Sequence, residues 1–343
     1  MNLQELKTTA QALMADDKGL LAMDESTPTC NKRFKELGIP QTEEYRRRYR
    51  ELIVTTPRLE ECISGAILFD ETIKQSTDDG ELFIAVLKKK GIIPGIKVDE
   101  GTVDLPFFPG EKMTEGLDGL RERLAEYYKT GARFAKWRAV INIGKDIPTI
   151  NSIATNAGIL ARYAALCQEA GLVPIVEPEV LMDGDHTLQK CLEVTQLVLH
   201  LVFDALYKQR VYLEGMILKP NMVLPGVDTT TQNDAEEIAN ATITCFLQTV
   251  PAAVPGIAFL SGGQHYLLAT ERLNMMHRRF DEVMPWALTF SFSRAIQQPA
   301  LELWKGADKN REAAQQMLYH RAACNNAARR GEYNPAMEDS LPN

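Results

Sequence analysis

The 343-residue chain lacks paired cysteine spacings, bilayer-length apolar runs, a Gly-rich dinucleotide fingerprint and any excess of basic charge. Each absence excludes something. Cys30, Cys62, Cys167, Cys191, Cys245 and Cys324 are scattered with no CxxC pair, which argues against a disulfide scaffold and for reduced thiols in a cytoplasmic protein. The densest apolar run, LVLHLVF at residues 197–203, is far short of the roughly 20 residues that cross a bilayer, so no membrane association is expected. Lys and Arg number 38 against 46 Asp and Glu; the resulting charge of −8 has the wrong sign for neutralising nucleic-acid phosphates. His186, His200, His265, His277 and His320 form no HxH or HExxH pattern, so neither a metal nor another cofactor is expected. His200, inside the apolar run, reads as a helix-core residue. The acidic pair Asp16 and Asp17, after Leu3, Leu6, Ala10, Leu13 and Met14 at helical spacing, is unlike an export or transit signal. No linker or low-complexity tract divides the chain. One domain is expected over residues 1–343, with 330–343 as a short C-terminal tail.

What the sequence does have is alternation. Short apolar runs at residues 19–24, 65–70, 92–99, 134–141, 173–180, 214–220, 256–263 and 286–292 read as strands. Amphipathic stretches at 151–170, 186–209, 235–248 and 302–329 read as helices; in the second, Leu188, Leu192, Thr195, Leu199 and Phe203 share a face. Strand–helix alternation implies parallel strands with crossovers. Eight such units without GxGxxG predict an α/β fold of the (β/α)8 TIM-barrel kind rather than an open doubly wound sheet. Trp137, Trp286 and Trp304 read as packing residues.

The strands begin apolar and finish in charged or hydroxyl groups: Asp24, Asp70, Lys97, Lys136 with Arg138, Glu177 with Glu179, Lys219, Ser261 and Ser291. In a barrel those ends converge on one mouth, where active sites are built. Lys219 closes an apolar strand before Pro220. It is either a partner for Glu177 or Glu179, or a nucleophile. Neighbouring cations (Lys136, Arg138) and desolvation both disfavour an ammonium, and lowering a lysine pKa by roughly three units removes about 4 kcal/mol of deprotonation cost. That is the preparation a Schiff-base lysine needs. Glu177 and Glu179, two apart, point to one face and suit proton transfer, salt-bridging of the cations, or both. Asp24 is a third acid or an N-cap. Ser261-Gly262-Gly263 and, after the last strand, Ser291, Ser293 and Arg294 are expected to bind phosphate, as loops after barrel strands seven and eight often do. Ser26, Thr29, Arg33 and Lys97 form a second candidate anion site, and a bisphosphate would span the two.

LAMDEST, GIKVDEG, FAKWR, IVEPEV, LKPNMV, FLSGGQ and WALTFSFSRA, in that order, closely resemble class I fructose-bisphosphate aldolase over roughly residues 1–335. The resemblance implies a lyase of glycolysis and gluconeogenesis that reversibly cleaves fructose 1,6-bisphosphate to dihydroxyacetone phosphate and glyceraldehyde 3-phosphate. Its partners would be phosphorylated sugars, and it would form a homo-oligomer, a tetramer by family habit. By motif, Lys219 would form the imine, Glu177 would transfer protons and Glu179 would orient it. Asp24 would recognise substrate hydroxyls, while Lys136 and Arg138 would stabilise carbinolamine and substrate charge. Ser261, Gly262, Gly263, Ser291 and Arg294 would hold the phosphate nearer the ketone. Ser26, Thr29, Arg33 and Lys97 would receive the other. Three departures stand out: Ser293 and Pro28 occupy positions where the family often has glycine, and the sequence ends EDSLPN, where many members have a terminal tyrosine used in proton exchange. Cleavage is expected to persist, while proton exchange on the ketose half either depends on another group or runs slower, because Tyr333 lies too far back to substitute. Two other readings stay open: another Schiff-base aldolase or transaldolase, and an inactive interaction scaffold.

Overall fold

Period-two alternation along the strands places one set of side chains inside the barrel and the other against the helices. The computed structural model describes residues 2–339; the expected tail 330–343 therefore lies partly outside them, as does the EDSLPN end from Ser340. Strands β1 (Gly19–Met23), β2 (Ile63–Leu68), β3 (Ile93–Lys97) and β4 (Phe134–Ile141) are followed by β5 (Val173–Val180), β6 (Ile217–Leu218), β7 (Gly256–Phe259) and β8 (Ala287–Phe292). All pair in parallel, each with its sequence neighbour, and β8 returns to β1 with Leu20 opposite Ser291. The fold is the closed (β/α)8 barrel. An antiparallel hairpin, Thr102–Asp104 with Lys112–Thr114, is inserted after β3.

Inside the barrel, character changes along each strand. Leu20, Ala22, Ile67, Phe134, Val173, Ile175, Ile217 and Ala258 form one buried apolar cluster, closed off by Leu6, Ala10, Leu13 and Met14. Those closing residues belong to, or immediately follow, the N-terminal helix Leu3–Leu13, which seals the floor. The Phe134 ring fills the centre because Gly95 and Gly65 leave it room: a Cβ on them would come within 2.2 and 3.1 Å of that ring. Two residues further along the same faces the apolar set gives way to charge. Phe134 is succeeded by Lys136 and Arg138, Ile175 by Glu177 and Glu179, and Ile217 by Lys219. The outward set, including Trp137, Leu218, Phe259 and Phe290, packs under the helices. Trp137, Trp286 and Trp304 are all buried, as packing residues should be.

The structure corrects three expectations. The stretch 302–329 is two helices, Arg294–Trp304 and Arg311–Arg329, because Lys305 and Gly306 turn left-handed (φ 47° and 76°) and break the run. β6 has only two paired residues; Glu214 lies in a short 3-10 turn, Leu213–Gly215, and Pro220 has no N–H to extend the ladder. His200 is exposed rather than core: helix Leu188–Lys208 buries Val194, Val198, Leu199, Val202 and Phe203. Each step along a helix turns about 100°, which carries residue 200 off that stripe.

Candidate active site

The charged ends of the strands line a single cavity of about 1330 Å³ at the C-terminal mouth. At its base lies a compact lattice of cations and acids. Lys219, 3% exposed, is held by its backbone N–H to the Val176 carbonyl (2.8 Å), and its Nζ stands 3.4 Å from Glu177 Oε1. Lys136 Nζ lies 2.8 Å from Asp24 Oδ2, 3.5 Å from Glu177 Oε2 and 3.7 Å from Asp99 Oδ2. Burial works against the Lys136 ammonium, yet Asp24, Glu177 and Asp99 outweigh it and raise its pKa, so Lys136 is a fixed positive charge. Burial likewise tends to raise the Asp24 carboxyl, but Lys136 and Lys219 overcome it and hold Asp24 ionised well below the usual carboxylate range. Asp24 is therefore not an N-cap; Ser26 takes that position for the helix Thr27–Glu36. The expected picture of Lys219 crowded directly by cations is corrected: the Glu177 carboxylate stands between the two lysines, one oxygen toward each. Glu179, buried beside Glu177, is paired with Arg138, whose guanidinium charge is reinforced by it. The two glutamates thus divide, one toward the lysines and one toward the arginine.

Toward β7 and β8 the lining turns anion-ready. Ser261 and Gly262 line the cavity, and Gly262 is left-handed (φ 58°). Gly263 (φ 95°) does not line it but sits behind Arg294, where a Cβ would come within 3.1 Å of Nη2. Arg294 forms no ion pair among the described residues. It is exposed at the cavity wall; partial desolvation there, then repulsion from Arg33 and Arg138, lower its pKa against the opposing pull of Glu179 and Asp183. The buried Ser291 hydroxyl has no hydrogen-bond partner among the described residues. Ser293, at φ −105°, opens the helix Arg294–Trp304 without needing a glycine conformation.

Across the cavity lie Ser26 and Thr29, whose hydroxyls are 3.1 Å apart, with Lys97 and Lys32. Pro28 sits in the first turn of its helix, where a missing N–H costs nothing. Lys97 is tied to Asp99 through the backbone carbonyl (2.6 Å) and Oδ1 (2.7 Å). Arg33 departs from its expected grouping: its guanidinium is 2.6 Å from Glu25 Oε1 and 3.4 Å from Ser293 Oγ, which places it on the β8 side.

Such a mouth, with a buried lysine touching a carboxylate and anion-ready ends on either side, can bind and cleave a doubly phosphorylated ketose. Comparison with known proteins agrees. The family model for "Fructose-bisphosphate aldolase class-I" matches residues 5–342. The chain belongs to the class I fructose-bisphosphate aldolase family. It is 56% identical over 334 residues to a probable class 1 fructose-bisphosphate aldolase of Xanthomonas campestris, covering 97% of this chain and 99% of that protein. With the Dictyostelium discoideum fructose-bisphosphate aldolase it shares 50% identity, over 96% of this chain and 92% of that one. A solved fructose-bisphosphate aldolase from Plasmodium falciparum superposes with a TM-score of 0.95 at 48% identity, covering 97% of this chain and 96% of the other. The enzyme is a metal-independent lyase of glycolysis that cleaves fructose 1,6-bisphosphate reversibly through a lysine Schiff base, and its substrates are phosphorylated sugars.

Within this aldolase the structure also shows which neighbours sequence reasoning passed over. Asp99, Glu25, Arg50 and Lys32 were not singled out. Asp99 could have been, since it stands two residues after Lys97 in IKVD and so shares its face. Glu25 was hidden by adjacency to Asp24. Tyr333 is buried away from the cavity, its hydroxyl on Glu338 Oε1 (3.0 Å). Among the described residues, His320, Cys324 and Glu338 are the one group of metal-capable side chains drawn together; they lie outside the cavity, and Glu338 is paired with Arg321.

Proposed function

We propose that Lys219 is the residue that forms the imine. Its amine attacks the ketone carbon, giving a carbinolamine. Glu177, within reach of that nitrogen, takes and returns the protons that let water leave. The protonated imine then draws the electron pair of the adjacent carbon–carbon bond into an enamine, while Glu177 accepts the proton of the hydroxyl on the departing carbon and the aldehyde is released. Proton return to the enamine carbon and hydrolysis free Lys219. Lys136 supplies fixed positive charge toward the carbinolamine, Asp24 orders substrate hydroxyls, and Glu179 orients Glu177 and holds Arg138 toward the substrate. Ser261, Gly262, Ser291, the backbone amide of Ser293 and Arg294 receive the phosphate nearer the ketone, Gly263 giving Arg294 room. Arg33 joins them from the Glu25 side. Ser26, Thr29 and Lys97 receive the second phosphate.

The observation carrying this assignment is the 3.4 Å approach of Lys219 Nζ to Glu177 Oε1 in a buried site, since an imine lysine needs a proton carrier at that distance. Borohydride reduction in the presence of dihydroxyacetone phosphate, followed by peptide mapping, tests it. Label on Lys219 is expected; label on Lys136 alone, or none, overturns it. We further infer a cytoplasmic homo-oligomer, a tetramer. All six cysteines are buried and unpaired, in keeping with a reducing compartment, and Leu197, Tyr207 and Leu247 leave apolar surface exposed on helices Leu188–Lys208 and Ala235–Thr249. Light scattering at micromolar concentration should give four chains per particle.

A further inference from the structure

Behind the ketone-side phosphate end lies a polar network that the imine chemistry does not use. Glu25, with a side chain 6% exposed, accepts two bonds at Oε1, from Arg33 Nη1 (2.6 Å) and from the Ser293 hydroxyl (2.6 Å). Its Oε2 stands 2.6 Å from Arg50, which is almost fully buried. Ser293 Oγ in turn accepts from Gln297 Nε2 (3.3 Å) and Arg33 Nη2 (3.4 Å).

Ser293 is the N-cap of the helix Arg294–Trp304, yet its side chain makes no capping bond to that helix. A serine at this position ordinarily satisfies an amide of the first turn. Here the hydroxyl is turned away to Glu25, which leaves the eleven-residue helix without a side-chain cap at its start, where Ser293 and Arg294 line the cavity. The same residue therefore acts in two directions. Through its backbone it begins the helix that carries Arg294, and through its hydroxyl it grips the carboxylate that holds Arg33. Two guanidiniums facing one cavity repel, and among the described residues Arg294 is in ion-pair contact with no carboxylate, Glu179 and Asp183 attracting it only from farther off. Glu25 supplies the opposite charge that keeps Arg33 near it.

We propose that Ser293 and Glu25 are a positioning pair that aims Arg33 and Arg294 together at the phosphate nearer the ketone, and so sets the preference for phosphorylated over unphosphorylated ketoses. This rests on the assignment of Lys219 and of the phosphate ends made above. Neither residue of the pair acts on the reacting carbons; the effect passes through Arg33 and the helix start.

The test compares two ligands that form the same imine and differ by one phosphate. Borohydride labelling of Lys219 is titrated with dihydroxyacetone phosphate and with unphosphorylated dihydroxyacetone, in wild type, Ser293→Ala, Ser293→Thr and Glu25→Gln. Losing one charge-assisted hydrogen bond predicts that Ser293→Ala raises the half-saturating dihydroxyacetone phosphate concentration about 5–20-fold, and that of dihydroxyacetone less than twofold. Ser293→Thr, which keeps the hydroxyl, should recover most of the loss, and Glu25→Gln should move in the direction of Ser293→Ala. For fructose 1,6-bisphosphate cleavage, the Ser293→Ala change should fall on KM more than on kcat. Equal shifts for both ligands, no shift for either, or no recovery by threonine overturns the proposal. Absence of labelling at Lys219 in the wild type overturns the underlying site assignment instead.

Discussion

The floor and the mouth of this barrel are built from the same strands, two residues apart, and obey opposite rules. On the floor, Phe134, Ile175 and Ile217 are dry, closely packed and sealed by the N-terminal helix. At the mouth, Lys136, Glu177 and Lys219 are just as inaccessible, but a charge there survives only where an opposite charge meets it. Stability therefore resides chiefly in the first layer and chemistry in the second. A substitution in one should leave the other largely legible.

The comparison can be broken most sharply at Lys219. Lys219→Ala should abolish both cleavage and borohydride labelling, while the circular dichroism spectrum and thermal transition show a folded barrel; residual turnover at wild-type rate would end the division of labour. Next is Glu177→Gln, expected to lower kcat by about 10²–10⁴-fold in steady-state assays, the usual worth of a proton-transfer group. On the floor, Phe134→Ala should cost about 3–5 kcal/mol in denaturant unfolding, through lost burial plus the cavity that Gly65 and Gly95 cannot fill. The kcat of its folded fraction should stay within about twofold of wild type.

A subtler probe is pH. Burial alone raises the Glu25 carboxyl, but Arg50, Arg33 and the Ser293 hydroxyl pull it down to about 2 from 4.5. A depressed pKa means stability that is fully present above the unfolded value and lost as acid protonates the folded form. The contribution, on the order of 3 kcal/mol, should be intact above pH 4.5 and fade between about pH 4.5 and 2. The stability gap between wild type and Glu25→Gln, measured by urea unfolding across that window, should shrink as pH falls. The smallest effect is expected at exposed His200. His200→Ala should change stability by less than about 0.5 kcal/mol, whereas a core histidine would cost several times that.

The floor was the easier region to read in advance. Its residues announce themselves by alternation, and the strand ends follow from counting in twos, which is why Asp24, Lys136, Glu177 and Lys219 could be named from the sequence and are found in one cavity. Partnerships across strands could not be named that way. Nothing in FAKWR or VEPEV says that Glu177 divides its oxygens between two lysines, or that Glu179 takes Arg138 for itself; those pairings depend on barrel stagger. Arg33 was grouped by sequence proximity with Ser26 and Thr29, but its long side chain reaches Ser293, 260 positions away. The helix break at Lys305 is invisible in the sequence because the amphipathic pattern continues across it, and the exposure of His200 because an apolar run does not say which of its residues faces solvent.

Pairing of Leu20 with Ser291 has a further consequence. The first strand waits for the last, so a chain emerging from the ribosome has most of its length in hand before it can close the ring, a high-separation contact of the kind that slows folding. Lysine and glutamate partners on neighbouring strands can meet early, but the bond that the Ser293 hydroxyl donates to Glu25 joins the region after the first strand to the region after the last and forms only at that final join. Translation products cut short before the last strand would carry Lys219, the proposed imine lysine, without Ser291, Ser293 and Arg294 of the proposed phosphate end, so on that assignment substrate capture waits for the last strand.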